Sequence, residues 1–149
     1  MSKVTRLTAA RLLGAAALSL AALVPLPAAH PAAAASGGDH LTVTVRDAGA
    51  DADGTYELYC NPDGGSHPDP AGACAAVERD TQWGQDPFAP APKGGVCTMQ
   101  YGGPATARVT GTWAGRPVDT TYDRRDGCAI SRWDRMVPLL PALGSAGRS

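Results

Sequence analysis

Two groups of residues in this chain have types and spacing that chemistry could use. The first is Val96-Cys97-Thr98-Met99-Gln100-Tyr101, in which a cysteine stands two residues ahead of a long, unbranched apolar side chain. Pro90-Ala91-Pro92-Lys93-Gly94-Gly95 precedes it and Gly102-Gly103-Pro104 follows, so neither flank continues as a helix. Six residues of extended character are presented between two irregular segments. If Cys97 is in a disulfide, Met99 can be exposed while the backbone around it stays fixed. A segment of that kind suits a protease cleft, because its conformational entropy is lost before docking. The plainer reading, an ordinary bridged loop with a partly buried Met99, is the commoner outcome for such residues.

The second group is Ser66, His67 and Asp69, which invites thoughts of catalysis. They lie in Asn61-Pro62-Asp63-Gly64-Gly65-Ser66-His67-Pro68-Asp69-Pro70, a loop with three prolines that is too stiff and polar for regular structure. Without a nucleophile motif, a histidine in that setting is structural or exposed. There is no G-x-S-x-G elbow, no H-E-x-x-H, no phosphate-binding loop and no dinucleotide fingerprint. Cysteine spacings of 13, 22 and 30 intervening residues do not resemble zinc sites, which use close pairs. The expectation is a protein that is not an enzyme, with no cofactor and no metal.

The elements that position these residues follow from pattern. Leu41-Thr42-Val43-Thr44-Val45-Arg46 alternates as a strand with Leu41, Val43 and Val45 inward. Asp47 to Gly54 is a turn that only faintly resembles a calcium loop, since the motif's spacing and closing Glu are missing. Thr55 to Cys60 is a second strand, and Ala71 to about Trp83 has the composition of a short helix. Ala105 to Trp113 and Pro117 to Tyr122 form a hairpin about Ala114-Gly115-Arg116. From Ile130 onward, apolar residues are broken by Pro138 and Pro141, and Gly144 onward reads as a loose tail.

Lys3, Arg6 and Arg11 followed by the apolar run Leu12–Val24 and by Ala32-Ala33-Ala34-Ala35-Ser36 read as a secretory signal cut near Ala35. The run is too short for a membrane span. Residues 36–149 then form one domain, with a core over 41–130 and a divergent tail over 131–149. It holds ten basic and fourteen acidic residues, a formal net charge of −4. That balance, with no basic stripe interleaved with aromatics, excludes a nucleic-acid binder. Arg124, Arg125, Arg132 and Arg135 are mixed with Asp123, Asp126 and Asp134 and read as a solvated segment. An exported chain with Cys60, Cys74, Cys97 and Cys128 should carry two disulfides. Three pairings are open, and the simplest joins Cys60 to Cys74 and Cys97 to Cys128.

Four segments, in order, resemble the Streptomyces subtilisin inhibitor family of secreted serine-protease inhibitors. Leu58-Tyr59-Cys60-Asn61-Pro62 with Gly65 to Pro70 and Ala73-Cys74 is similar to its first disulfide loop. Val96 to Tyr101 is similar to its reactive-site loop, Val109 to Arg116 carries its Gly-x-Trp-x-Gly pattern, and Cys128 closes the second bridge. The likeness covers about residues 41 to 128. It implies an α+β single domain, a subtilisin-inhibitor-like sandwich with a five-stranded antiparallel sheet, two short helices and two disulfides, Cys60–Cys74 and Cys97–Cys128. It implies a homodimer packed through the sheets, and a subtilisin-like serine protease as partner. Met99 would enter the enzyme's specificity pocket, Met99–Gln100 would be the reactive bond, and Val96, Cys97, Thr98 and Tyr101 would contact the enzyme.

The chain departs from the family in three places. Gly102-Gly103-Pro104 stands where the family continues Asp-Pro, which would loosen the leaving-group side and favour slow cleavage. Asp126 stands near the place of an Asn that braces the loop. The tail after Cys128 is longer and lacks the family's Phe-rich end. Beside the inhibitor stand two other readings: a same-fold binding module that is a slow substrate or meets a secreted metalloprotease, and an exported hydrolase using His67, ranked last.

Overall fold

The alternating strands pair into one sheet because each has an apolar row to bury and a polar row that water satisfies. The computed structural model describes residues 38–91 and 93–144. Strands β1 (Asp39–Arg46), β2 (Gly54–Cys60), β3 (Gly64–Gly65), β4 (Thr106–Trp113) and β5 (Arg116–Tyr122) form an antiparallel sheet in the order β3-β2-β1-β4-β5. Val43 sits opposite Tyr56 on β2 and Val109 on β4, so β1 runs down the middle of the buried face. Leu41, Val43, Val45, Leu58, Val109, Val118 and Tyr122 are buried there. Each full aliphatic burial stabilises by roughly 1.5–3 kcal/mol. The other face carries Thr42, Thr44, Glu57, Tyr59 and Arg108; Tyr59 stacks on His40 at 4.4 Å and Arg108 pairs with Asp119 on β5.

Helices cover the apolar face. Helix α1 (Pro70–Thr81) begins with proline in its first turn, and the Asp69 carboxylate accepts from the Gly72 N–H at 2.9 Å. It buries Ala73, Cys74, Ala76 and Val77. A 3₁₀ turn (Gln82–Gly84) follows it. Helix α2 (Gly127–Arg135) is capped by Asp126, whose carboxylate accepts from the Ala129 N–H at 2.8 Å, and it buries Trp133. The two helices are joined by the Arg79 guanidinium, which donates to the Arg135 carbonyl at 3.0 Å.

Three expectations need correction. The proline loop 61–70 contains β3, which gives the sheet its fifth strand. Two glycines pair with Leu58 and Tyr59, and a strand that short carries no readable alternation. The core does not stop at residue 130: Trp133, Met136, Leu139 and Leu140 are all buried. Pro138 and Pro141 end helical structure without ending packing, and the Trp133 indole N–H donates to the Pro141 carbonyl at 2.9 Å. Arg124 is not solvated but 2% exposed. The expected signal over residues 1–35 lies outside the described residues. No helix among the described residues is long and apolar enough to cross a membrane.

Candidate functional site

The segment after β5 and the start of α2 carry the extended stretch singled out in the sequence. Cys97 is bridged to Cys128 with a Cα–Cα distance of 5.3 Å. The Gly127 N–H donates to the Thr98 carbonyl at 3.0 Å, and the Gly102 N–H donates to the Arg124 carbonyl at 2.7 Å. One short segment, 124–128, therefore holds the loop at Cys97, Thr98 and Gly102. Between these clasps Met99, Gln100 and Tyr101 have no backbone hydrogen bond among the described residues. Their side chains face solvent: Met99 is 95% exposed and Tyr101 59%, with Val96 fully exposed upstream. A partly buried Met99, part of the plainer reading, does not hold.

Two glycines permit this close approach. A Cβ on Gly127 would lie 2.0 Å from Thr98 Oγ1. A Cβ on Gly102 would lie 2.7 Å from Ile130 Cγ1 and 3.1 Å from Arg124 Cβ. Gly102, expected to loosen its side of the loop, is buried and fixed. Asp126 does not brace the loop through its side chain; the carboxylate caps α2, where a negative charge is favoured by the helix dipole.

Arg124 is the residue against the loop whose burial the sequence reading missed. Its Nε–H donates to the Gly102 carbonyl at 3.1 Å and its Nη1–H to Asp134 Oδ1 at 2.7 Å. The guanidinium also lies 5.7 Å from the Trp133 ring centroid. Strand alternation offered a signal, because Val118, Thr120, Tyr122 and Arg124 share one parity and the first and third are core.

The approach to the loop is anchored upstream. Phe88 is buried against Trp113, and the Tyr122 hydroxyl donates to the Pro87 carbonyl at 2.9 Å. Burial pushes the Tyr122 hydroxyl up to about 12. Arg132 stacks on Tyr122 at 3.9 Å and donates to the carbonyls of Ala89 and Thr121.

Other candidate chemistry is used structurally. His67 is buried; Nδ1 accepts from the Asp69 N–H and Nε2–H donates to the Leu139 carbonyl. Both ring nitrogens are occupied, and Ser66 Oγ accepts from the Glu57 N–H. Two acid-and-sulfur clusters among the described residues, Cys60–Asp63–Cys74 and Cys97–Asp126–Cys128, are built on bridged sulfurs. A disulfide offers no thiolate to a metal.

A small α+β domain that holds an exposed, extended loop between a disulfide and backbone clasps is built to present that loop. Comparison with known proteins gives the lineage. A family model described as subtilisin inhibitor-like matches residues 29–124. Subtilisin inhibitor-like protein 1 of Streptomyces cacaoi is 38% identical over 90 residues, covering 57% of this chain and 77% of the relative. A crystal structure of Streptomyces caespitosus sermetstatin in complex with Bacillus licheniformis subtilisin aligns with a TM-score of 0.42 and 25% identity, over 70% of this chain and 97% of that one. The chain belongs to the subtilisin inhibitor-like family.

Proposed function

We propose that this protein is an exported inhibitor of serine endopeptidases, not an enzyme itself, and that Met99–Gln100 is its reactive bond. Its targets on this reading are subtilisin-like and chymotrypsin-like enzymes, whose primary pockets are roomy and apolar. Met99 offers no charge to a trypsin-like pocket. The observation that carries the reading is that Met99 is almost fully exposed while residues on both sides of it are tied to 124–128. The N–H and C=O groups of 99–101, without a backbone partner among the described residues, are available to pair with an enzyme's cleft as an added strand. Once the bond is cut, the new amine on Gln100 is held near the acyl carbon of Met99, so resynthesis competes with hydrolysis. Family membership supports the inhibitor class, and the basic–apolar–small order of residues 1–35 supports export by a cleaved signal. Pairing of two copies through the open sheet face belongs to the same reading and is measured by mass in solution.

The test is titration of subtilisin with the purified protein, followed by mass analysis. Wild type should inhibit at near one-to-one ratio and show a single cut after Met99. Met99→Asp should weaken inhibition by about a thousandfold or more, since a carboxylate would be buried in an apolar pocket. Unchanged inhibition by Met99→Asp would remove this loop as the contact. Rapid complete digestion of wild type at Met99–Gln100 would make the protein a substrate rather than an inhibitor.

A further inference from the structure

The two sides of the loop are held by different means. On the acyl side stand a covalent bridge at Cys97 and the Gly127 clasp at Thr98. On the amine side, among the described residues, the hold on residues 100–102 is Arg124, which grips both backbone groups of Gly102. Beyond it come Gly103 and Pro104, which make no backbone hydrogen bond among the described residues. We propose that Arg124 is the positioning residue for the leaving-group side, and that it keeps the cleaved amine within reach of resynthesis. This rests on the reading of Met99–Gln100 as the reactive bond.

The argument is geometric. The Arg124 side chain is 1% exposed and is fixed from two directions, by the Asp134 carboxylate and by the Trp133 ring. Both partners lie on α2, the helix whose start also carries Gly127 and Cys128. A cation donating to a carbonyl in a buried site makes a stronger hydrogen bond than a neutral donor. Arg124 therefore ties Gly102 to the same helix that holds Thr98 and Cys97, and the two chain ends made by cleavage share one rigid mount. In resynthesis the Gln100 amine attacks the acyl carbon of Met99. The new C–N bond forms as the bond to the protease serine oxygen breaks, and the amine proton returns to that oxygen through the enzyme's histidine. This needs the amine held within contact distance, and only Tyr101 separates Gln100 from the Arg124 clasp at Gly102.

The experiment measures the equilibrium ratio of cleaved to intact protein with catalytic amounts of subtilisin, for wild type, Arg124→Leu, Arg124→Lys and Gly102→Ala. Thermal unfolding is followed for each, and the ratio is read where more than nine-tenths of the protein is folded. Arg124→Leu should move the ratio toward the cleaved form by about ten- to hundredfold, the equivalent of one charged hydrogen bond. Arg124→Lys keeps a charge for Asp134 but loses the fixed fork, and should fall between wild type and Leu. Gly102→Ala keeps the arginine but presses a methyl group against Ile130 and the Arg124 Cβ, displacing residue 102, and should shift the ratio in the same direction. A purely structural role would lower the melting temperature and leave the ratio of the folded protein at the wild-type value. If Arg124→Leu does not fold, Arg124→Lys and Gly102→Ala decide, and wild-type ratios in both overturn the proposal. Wild type that inhibits while every folded variant matches its ratio overturns the role of Arg124 alone. Wild type that neither inhibits nor is cut after Met99 overturns this proposal together with the reactive-bond reading.

Discussion

The chain spends the same cross-link in two unlike places. Cys60–Cys74 joins the end of β2 to α1, and its half-cystines are 1% and 2% exposed. It closes a sequence separation of 14 residues and lies inside the core cluster. Cys97–Cys128 closes a separation of 31 residues and lies at the surface, Cys97 partly and Cys128 largely exposed. The first bridge is packed on every side and holds a helix to a sheet. The second touches little beyond the loop it fixes. Burial, more than the bond, decides whether a disulfide serves the fold or the site.

Replacing the buried pair, Cys60→Ser with Cys74→Ser, should have the largest effect on stability. A closed loop of this length is worth about 3 kcal/mol in chain entropy. Each serine hydroxyl left without a partner in the core adds about 1–3 kcal/mol. Urea denaturation should show a loss of about 5–9 kcal/mol, while the remaining folded fraction inhibits subtilisin as wild type does. A loss below about 1 kcal/mol would erase the distinction between the bridges. Replacing the exposed pair, Cys97→Ser with Cys128→Ser, should cost less, about 3–4 kcal/mol, because only the entropy of the longer loop is lost. Its effect on function should be the greater one. Inhibition should become temporary, with residual activity returning over hours as Met99–Gln100 is cut. A double variant that inhibits indefinitely would assign the bracing wholly to the backbone clasps at Thr98 and Gly102.

The region of the buried bridge was legible in the sequence and that of the exposed bridge only partly so. Leu41, Val43, Val45 and Leu58 alternate without interruption, and period two fixes which side faces inward. For Met99 the residues alone favoured partial burial, and it was the family resemblance that pointed to the exposed position it holds. Arg124 was not legible as buried, because charge outweighed parity: a buried arginine is rare enough that its strand position looked like accident. Helix α2 was hidden for a related reason. Its cap, Asp126, looked like one more charge in a mixed run, and it has one fully buried side chain, Trp133, while the buried residues that follow, Met136, Leu139 and Leu140, lie beyond its end among prolines. Such pairings are settled by tertiary packing, which local pattern does not carry.

Tyr122 measures how far the loop's mount is tied to the core. An un-ionised phenol is favoured in the folded state, where burial pushes its titration up to about 12 from the ordinary 10. Between those values the unfolded chain has lost the proton and the folded protein keeps it, so stability falls as pH rises from 10 to 12 and is fully present below 10. The decline at pH 12 should be about 2–3 kcal/mol. Tyr122→Phe should flatten it, at a cost of about 1 kcal/mol at neutral pH from the lost bond to the Pro87 carbonyl. If the wild-type decline survives in Tyr122→Phe, another group drives it. If Pro87 is the anchor of the approach segment, the variant should also be cut faster by subtilisin, at neutral pH and with both bridges intact.

The smallest change separates function from stability most cleanly. Gly127→Ala places a methyl group 2.0 Å from the Thr98 hydroxyl as it now lies and 3.2 Å from Thr98 Cβ. Thr98 is exposed and its hydroxyl can rotate away, but its Cβ can retreat only with the backbone. The loop must therefore shift by a few tenths of an ångström at the residue before Met99. Alanine also gains about 0.5–1 kcal/mol over glycine in the first turn of α2. The strain and the gain oppose each other, so unfolding free energy should change by less than about 1 kcal/mol. Inhibition has no such offset: the Gly127 N–H to Thr98 bond lengthens, and the inhibition constant should weaken by about three- to tenfold. Adding Thr98→Ala removes the nearest clashing atom and should recover part of that loss with no further change in stability. Should Gly127→Ala instead lower stability by several kcal/mol while leaving inhibition untouched, the clasp at Thr98 would belong with the buried bridge, as a device of the fold.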